Sequence, residues 1–129
     1  GCRIEGELAL RAIDELPLIA TLAARAHGPT QIHDAKELRV KESDRIARTV
    51  EMLRSFGVPV DEHDDGMTIH GDPYRPLESG IVDARGDHRL AMCGALLARH
   101  AGSDTRIEGA ESVATSFPEF HRLLDDLSR

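Results

Sequence analysis

Hydrophobic residues recur along this chain with two spacings, strict alternation in some segments and helical spacing in others. Alternation over residues 4–12 predicts an opening strand. Helical spacing behind an N-cap residue predicts helices that begin after Asp14, after Ser43 or Asp44, and after Asp87. Short apolar runs predict strands over 30–33, 58–62, 67–70, 81–83 and 105–108, and a closing helix is predicted over 118–127. The order β-α-β-α-β-β-β-α-β-α predicts an α/β fold.

Parts of this pattern occur twice. The run Leu16–Ala24, followed by an arginine, returns at Leu90–Ala98, again followed by an arginine. The pattern Thr-x-Ile-x-x-Ala occurs at 30–35 and again at 105–110. Asp14 and Asp87 head the two apolar runs, so three elements recur in the same order and indicate two copies of one unit, although soluble helices often share small-residue patterns by chance. The predicted repeat comprises approximately residues 14–72 and 87–129.

Composition narrows the class of protein. The chain has 129 residues, the size of one domain, but it lacks an initial Met, so we expect it to begin within a longer protein. A net charge of −7 disfavours binding to nucleic acid or to an anionic membrane. The longest uncharged runs are about half of the roughly 20 residues that a membrane span needs. Two cysteines indicate a reducing cytosol, and the histidines show no metal-ligand spacing, so we predict a cytoplasmic protein without a metal.

Basic residues concentrate in one short segment of this acidic chain. The cations between positions 36 and 48 are Lys36, Arg39, Lys41, Arg45 and Arg48. Glu37, Glu42 and Asp44 lie among them, so one interpretation is a solvated helix face with ion pairs between successive turns.

The positions of two arginines favour a different interpretation. Arg45 and Arg89 fall in the first turns of predicted helices, where a cation opposes the helix dipole at a cost of about 0.3–1 kcal/mol. Free N–H groups at a helix N-terminus, together with an arginine, bind carboxylates and phosphates well. Both helices are therefore predicted to face an anion. Neighbouring groups that could transfer protons there are Asp14, Glu42, Asp87 and His88.

Four strings of residues carry a resemblance to a known family. They are IDELP at 13–17, LRVKESDRI at 38–46, GDHRLAM at 86–92 and TSFPEF at 115–120. In order and spacing they resemble signatures of the 5-enolpyruvylshikimate-3-phosphate synthase (3-phosphoshikimate 1-carboxyvinyltransferase) family. The resemblance covers the whole chain and corresponds to the C-terminal part of the family's sequence.

The resemblance implies an architecture. Members of this family have two similar domains, each an inside-out α/β barrel of three βαβαββ units with its helices buried. This chain would then hold about two of the three units of one domain, and the second domain would lie outside it. Apolar helices at 16–24 and 90–98, rich in small residues, fit packing inside such a barrel. We expect the full-length protein to be a monomer and this fragment to self-associate through uncovered sheet edges.

The resemblance also implies a reaction. The family transfers the enolpyruvyl group of phosphoenolpyruvate to the 5-hydroxyl of shikimate 3-phosphate and releases phosphate, a step of aromatic amino-acid biosynthesis. Both substrates are small polyanions, so the implied partners include neither nucleic acid nor membrane, and no cofactor is implied. The hydroxyl first adds to the enolpyruvyl group, and phosphate is then eliminated. The addition requires a base for the hydroxyl proton and an acid for the methylene carbon.

Roles follow residue by residue from the resemblance. Asp14 matches the aspartate that acts as the base, although it could also be a simple N-cap. Glu42 matches a candidate proton donor, and Lys41 matches a lysine near the shikimate hydroxyls. Arg45 and Arg89 match the arginines that hold phosphoenolpyruvate. Supporting positions are Asp44, Asp87 and His88.

Two departures from the family pattern and two alternatives remain. Thr115 stands where some members have a lysine of the phosphoenolpyruvate clamp, and Glu37 stands where some have an asparagine that contacts the shikimate ring. The nearest alternative is the related enolpyruvyl transferase that acts on UDP-N-acetylglucosamine. An alternative of another class is a non-catalytic anion-binding module, and we expect the fragment alone to be inactive.

Overall fold

The fold is known from a computed structural model that describes residues 1–78, 80–84, 87–101 and 106–108. Its helices are α1 (Gly6–Arg11), α2 (Leu16–Ala23), α3 (Arg45–Ser55) and α4 (His88–Ala101). Its strands are β1 (Arg3–Ile4), β2 (Gly28–Ile32), β3 (Val60–His63), β4 (Gly66–Gly71), β5 (Ile81–Asp83) and β6 (Arg106–Glu108). Short 3-10 helices occupy Ile13–Glu15 and Lys36–Val40.

The strands form two small sheets. In the larger sheet, of order β1-β2-β4-β3, β1 runs parallel to β2, whereas β4 is antiparallel to both β2 and β3. In the smaller sheet, β5 and β6 are parallel. Each parallel pair is joined by a helical crossover, through α1 and α2 in the first case and through α4 in the second. This arrangement confirms the predicted α/β class, and the hairpin β3–β4 turns at Asp64 and Asp65 as the sequence indicates.

One core joins the helices to both sheets. Helix α3 packs on β3, β4 and β5, and α4 packs on α2, α3 and β5. The largest fully buried apolar side chains include Leu16, Ile32, Leu38, Ile46, Leu53, Phe56, Ile69, Leu90 and Leu97. Phe56 apart, these residues are aliphatic, as the scarcity of aromatic residues requires. The core thus holds the N-termini of α3 and α4 at fixed positions.

Local sequence accounts for the start and end of α3. The Asp44 carboxylate accepts a hydrogen bond from the backbone N–H of Ala47 at 3.0 Å, so Asp44 is the N-cap and Ser43 is not. After the helix, Gly57 adopts a φ of +85°, a left-handed conformation that favours glycine and stops the helix. The predicted helix is therefore confirmed with its cap.

Helix α4 also starts as predicted. Asp87 Oδ1 accepts hydrogen bonds from the backbone N–H groups of Arg89 at 3.2 Å and Leu90 at 3.5 Å. Further along, Gly94 lies so close to Val82 of β5 that an added Cβ would stand 2.8 Å from a valine methyl carbon. Any larger side chain at Gly94 would push the helix away from the strand.

The predicted opening strand is wrong for most of its length. Only Arg3–Ile4 is extended, and Gly6–Arg11 is the helix α1. The strand ends because Gly6 takes a φ of +63°, and the residues that follow are mostly strong helix formers. Glu7 and Arg11 add an i,i+4 ion pair at 3.4 Å. Alternation over so few residues is compatible with either period, and the helix propensity prevails.

The two helices of the predicted repeat pack against each other. Helix α4 is buried through Leu90, Ala91 and Leu97, whereas α2 leaves Leu18 and Leu22 exposed, the latter by 62%. Thr105, Ala110 and the predicted closing helix over 118–127 lie outside the described residues, so the repeat stays a prediction. No helix in the described ranges is long and apolar enough to cross a membrane.

Candidate active site

The N-termini of α3 and α4 meet around a buried ion pair. Arg45 is the first residue of α3, and Asp87 directly precedes α4. Arg45 Nε donates to Asp87 Oδ2 at 2.9 Å, and Arg45 Nη2 donates to Asp87 Oδ1 at 3.3 Å. The side chains are 2% and 0% exposed. Each residue therefore depends on the other, because a buried charge without a partner is strongly unfavourable.

Asp87 remains ionised in this buried position. Burial alone would raise the pKa of Asp87, but hydrogen bonds from Arg45 and Ser43, together with the positive charge of Arg45, outweigh burial and lower it. The hydroxyl of Ser43 donates to Asp87 Oδ2 at 2.7 Å. One carboxylate thus caps α4 and binds two groups from the start of α3.

Two further carboxylates contact Arg45 from the solvent side. Glu42 accepts a hydrogen bond from Arg45 Nη2, and Asp14 Oδ1 lies 3.4 Å from Arg45 Nη1. Both carboxylates are about half exposed, whereas the guanidinium is covered. An incoming anion would have to replace Glu42 or Asp14 to reach Arg45, so its predicted role as an anion ligand requires these side chains to move.

Lys41 completes this group of charges. Its Nζ lies 3.6 Å from Asp14 Oδ1 and 3.5 Å from Glu37 Oε1. Asp14 therefore stands between two cations, Lys41 and Arg45. Glu37, at the position where some family members have asparagine, is an ion-pair partner of Lys41 in this chain.

Asp14 does not cap a helix, so that alternative is wrong. It lies inside the 3-10 helix Ile13–Glu15, and the residue at the N-cap position of α2 is Glu15, without a side-chain capping bond. The preceding 3-10 turn already continues into α2 with helical backbone angles, which leaves no place for a cap at Asp14. Its carboxylate instead faces the cations Lys41 and Arg45.

Arg89 lies at the other side of the site. It lines a cavity of about 130 Å³ between α2 and α4, with Asp14 on the same rim and Leu18, Met92 and Cys93 among the apolar walls. Its guanidinium forms no ion pair with any described residue. His88, the first residue of α4, is half-buried beside it. Of the two predicted arginines, Arg89 is the one open to a ligand.

Cys93, in the wall of this cavity, is a packing residue. It is 3% exposed, and burial raises the pKa of its thiol to about 11. Because the thiolate is the nucleophilic form of cysteine, Cys93 is unsuited to nucleophilic catalysis near neutral pH. Cys93 therefore acts as a small residue of the core.

Sequence reasoning missed the hydrogen bond from Ser43 to Asp87 and the contacts of Arg39. Arg39 donates to Asp44 at 3.0 Å, to Glu62 at 3.0 Å, and to backbone carbonyls of the β3–β4 hairpin. It therefore ties the cap of α3 to the larger sheet and is not available to a ligand. A partial signal was the presence of Glu37, Glu42 and Asp44 near Arg39, but its partner Glu62 lies 23 positions away, too far to be identified from spacing.

The histidines and carboxylates of the described residues are not arranged as a metal site. Among the side chains that the structure describes, no group of three or more His, Cys, Asp and Glu residues could hold a metal ion. His33 and His63 stack with ring centroids 5.6 Å apart, and His63 Nε2 is bonded to Thr68 Oγ1 at 2.8 Å. The expected absence of a metal stays a prediction for the chain as a whole.

Comparison with known proteins identifies what this chain is similar to. Residues 1–124 match the family model of EPSP synthase (3-phosphoshikimate 1-carboxyvinyltransferase). The 3-phosphoshikimate 1-carboxyvinyltransferases of Brevibacillus brevis and of a Synechocystis species are each 46% identical over 129 residues. These alignments cover 100% of the chain but only 30% and 28% of the relatives. The chain therefore spans less than a third of the length of the curated relatives it matches.

A solved structure gives the same result for the fold. An EPSP synthase from Acinetobacter baumannii superimposes with a TM-score of 0.87 at 36% identity. The match covers 93% of this chain and 28% of the solved chain.

Proposed function

Because the chain belongs to the EPSP synthase family, we propose that it is part of an enzyme that transfers the enolpyruvyl group of phosphoenolpyruvate to the 5-hydroxyl of shikimate 3-phosphate. The products are the enolpyruvyl ether and inorganic phosphate, and the step belongs to aromatic amino-acid biosynthesis in the cytoplasm. One observation carries this proposal: Asp14, Lys41, Glu42, Arg45 and Arg89 converge on two adjacent helix N-termini. The two helix N-termini, together with an Arg89 that has no ion pair with a described residue, suit two polyanionic substrates.

The carboxylates Asp14 and Glu42 are assigned to proton transfer. Asp14 accepts the proton of the attacking hydroxyl, and Lys41, 3.6 Å from its carboxylate, lies near the hydroxyls of the shikimate ring. Once an arriving anion has displaced Glu42 from Arg45 and Glu42 has taken up a proton from water, it supplies that proton to the methylene carbon of phosphoenolpyruvate, while the hydroxyl oxygen bonds to the adjacent carbon. In the elimination, the new methyl group returns a proton to Glu42, the bond from carbon to the phosphate oxygen breaks, and the proton held by Asp14 leaves with the phosphate.

The arginines are assigned to phosphoenolpyruvate. Arg89, without an ion pair to a described residue, binds the anion directly, and Arg45 does so after Glu42 or Asp14 moves aside. Asp44 and Asp87 cap the two helices, and Asp87 also holds Arg45 in place. His88 supports Arg89 at the start of α4. The two solvent-side carboxylates on Arg45 thus mark where a substrate anion would sit.

The whole protein is proposed to complete a barrel around this fragment. In the predicted repeat, Leu18 and Leu22 of α2 correspond to Met92 and Leu96 of α4. Of these residues, Leu18, Met92 and Leu96 line the cavity between the two helices. Equivalent faces on both copies suit a third, equivalent helix from the third βαβαββ unit of the domain. A second domain would then provide the other wall of the active site, and the complete protein would be a monomer.

Two alternative functions have less support than the shikimate reaction. The relatives reported above are named for the shikimate reaction, which favours it over transfer to UDP-N-acetylglucosamine. A non-catalytic anion-binding module describes the isolated fragment better than the whole protein, because the fragment covers only 28–30% of its relatives.

Phosphate release tests the proposal. With phosphoenolpyruvate and shikimate 3-phosphate, we expect turnover by the complete protein and none by residues 1–129 alone.

In the complete protein, Arg89→Met is expected to raise KM for phosphoenolpyruvate roughly tenfold to hundredfold, because a charge-assisted hydrogen bond is lost. The control is Arg11→Met, whose side chain is 77% exposed at the end of α1. An unchanged KM in Arg89→Met would contradict the assignment, and turnover by the fragment would contradict the need for a second wall.

The fragment alone is expected to self-associate. Sequence reasoning placed this contact at sheet edges, whereas we place it at Leu18 and Leu22 of α2, which are 40% and 62% exposed, and Leu18 also lines the cavity. In sedimentation velocity, residues 1–129 should form dimers or larger species, and Leu18→Lys/Leu22→Lys should shift them towards monomers. Leu8→Lys, at an exposed leucine of α1, is the matched control. A monomeric wild-type fragment at high concentration would refute this expectation.

A further inference from the structure

We propose that Ser43 is a positioning residue: its hydroxyl ties the segment that carries Lys41 and Glu42 to the N-terminus of α4, and so sets the distance between these groups and Arg89. This inference rests on the proposed function. It concerns a residue outside the set of candidate catalytic and binding residues, one that touches no substrate and acts through Asp87.

The Asp87 carboxylate is the point at which three segments meet. Its Oδ2 accepts from Ser43 Oγ at 2.7 Å and from Arg45 Nε at 2.9 Å. Its Oδ1 accepts from the backbone N–H of Arg89 at 3.2 Å. Since a carboxylate is planar, donors on Oδ2 fix the direction in which Oδ1 points. Ser43 therefore influences how the first turn of α4, with Arg89, is held.

Ser43 holds a part of the chain that Arg45 does not. Arg45 belongs to α3, so its bond to Asp87 connects one helix with another. Ser43 precedes the N-cap Asp44 and lies in the non-helical segment 41–43, directly after Lys41 and Glu42. Its hydrogen bond reaches a fully buried acceptor 44 positions away.

The other contacts of this segment are weaker restraints. Lys41 pairs with Asp14 and Glu37, whose side chains are 45% and 54% exposed, and Glu42 itself is 52% exposed. Exposed ion pairs constrain geometry little, because water and salt compete with them. A hydrogen bond to a buried, ionised carboxylate is stronger and more directional. Loss of the Ser43 hydroxyl should leave Lys41 and Glu42 attached mainly through ion pairs whose carboxylates are about half exposed.

Kinetics of the complete enzyme test this positioning role. Ser43→Ala is expected to lower kcat/KM by about fivefold to thirtyfold, through both kcat and KM for phosphoenolpyruvate, because acid and anion ligand lose their relative placement. Ser43→Thr, which keeps the hydroxyl, is expected to restore most of the activity. The control is Ser55→Ala, where the hydroxyl donates to the Met52 carbonyl within α3 at 2.7 Å. Equal kcat/KM in Ser43→Ala and Ser55→Ala would overturn the proposal.

A second measurement is independent of activity. In residues 1–129, amide hydrogen exchange at Arg89 and Leu90 should be faster in Ser43→Ala than in Ser55→Ala, because the cap from Asp87 Oδ1 is loosened. Unchanged exchange at both amides would refute the link from Ser43 to α4. If the complete wild-type protein shows no turnover, the proposed function fails, and the exchange result still decides whether Ser43 positions Arg89.

Discussion

Replacement of Asp14 by asparagine is expected to lower kcat of the complete enzyme by about 10²–10⁴-fold, the usual contribution of a positioned general base. Asparagine keeps the shape of the side chain but cannot accept the proton of the attacking hydroxyl. The structure separates this effect from helix stability, because Asp14 caps no helix and its own carboxylate is about half exposed. Steady-state phosphate release is the measurement.

Folding provides the first check on this result. The ion pairs of Asp14 involve a half-exposed carboxylate, so Asp14→Asn should change the free energy of unfolding by no more than about 1 kcal/mol. Glu15→Gln, at the adjacent position, is the matched control and should retain full activity. If kcat of Asp14→Asn stayed within about threefold of that control, Asp14 would not be the base.

The largest effect on stability is expected at Asp87. Asp87→Ala leaves the buried guanidinium of Arg45 without its main partner and removes the cap of α4. The expected loss is about 3–5 kcal/mol in the free energy of unfolding, a large share of the 5–15 kcal/mol typical of a domain. Urea denaturation monitored by circular dichroism measures it.

Two variants distinguish the buried charge from general disruption. Arg45→Met/Asp87→Leu removes both charges and should be more stable than Asp87→Ala, because no unpaired ion remains in the core. Asp61→Ala removes an exposed partner of His70, 2.8 Å away, and should leave the free energy of unfolding nearly unchanged, because exposed ion pairs contribute little. Equal losses in the free energy of unfolding for Asp87→Ala and Asp61→Ala would show that the buried ion pair stabilises the fold no more than an exposed one.

The same pair predicts a dependence on pH. The folded protein lowers the pKa of Asp87 below its ordinary value of 3.8. Ionised Asp87 therefore contributes stability that is fully present above pH 3.8 and is lost as the pH falls through the lower, folded pKa. The free energy of unfolding of the wild type, measured from pH 7 down to pH 2, should show this loss of stability in acid. Asp87→Ala should lack that component.

Much of the local structure could be predicted because it depends on near neighbours. Asp44 caps α3 through a backbone N–H only three positions ahead, and Asp87 caps α4 in the same way. The same reasoning failed over residues 4–12, where alternation and helix propensity compete and the short pattern does not decide between them. It also failed at Asp14, where a 3-10 turn continues into α2 without a cap.

The partners of the charged residues could not be predicted. Sequence alone placed Arg45 in a basic segment facing an anion, yet its guanidinium is covered by Asp87, Glu42 and Asp14. Glu42 lies three positions away, but Asp87 lies 42 positions away. Arg39 was counted with the same basic segment, and it instead ties the hairpin to the cap of α3.

The sequence by itself determined the α/β class and the cap of α4, and it narrowed the cap of α3 to Ser43 or Asp44. Capping bonds and periodic apolar faces need only a few consecutive residues, so their energetics are readable along the chain. Only the tertiary structure decided that Asp87 neutralises Arg45 while Arg89 stays open to the cavity. Packing brings the two helix N-termini together and removes water from one arginine, and a charge without water must be matched by an opposite charge at the same place.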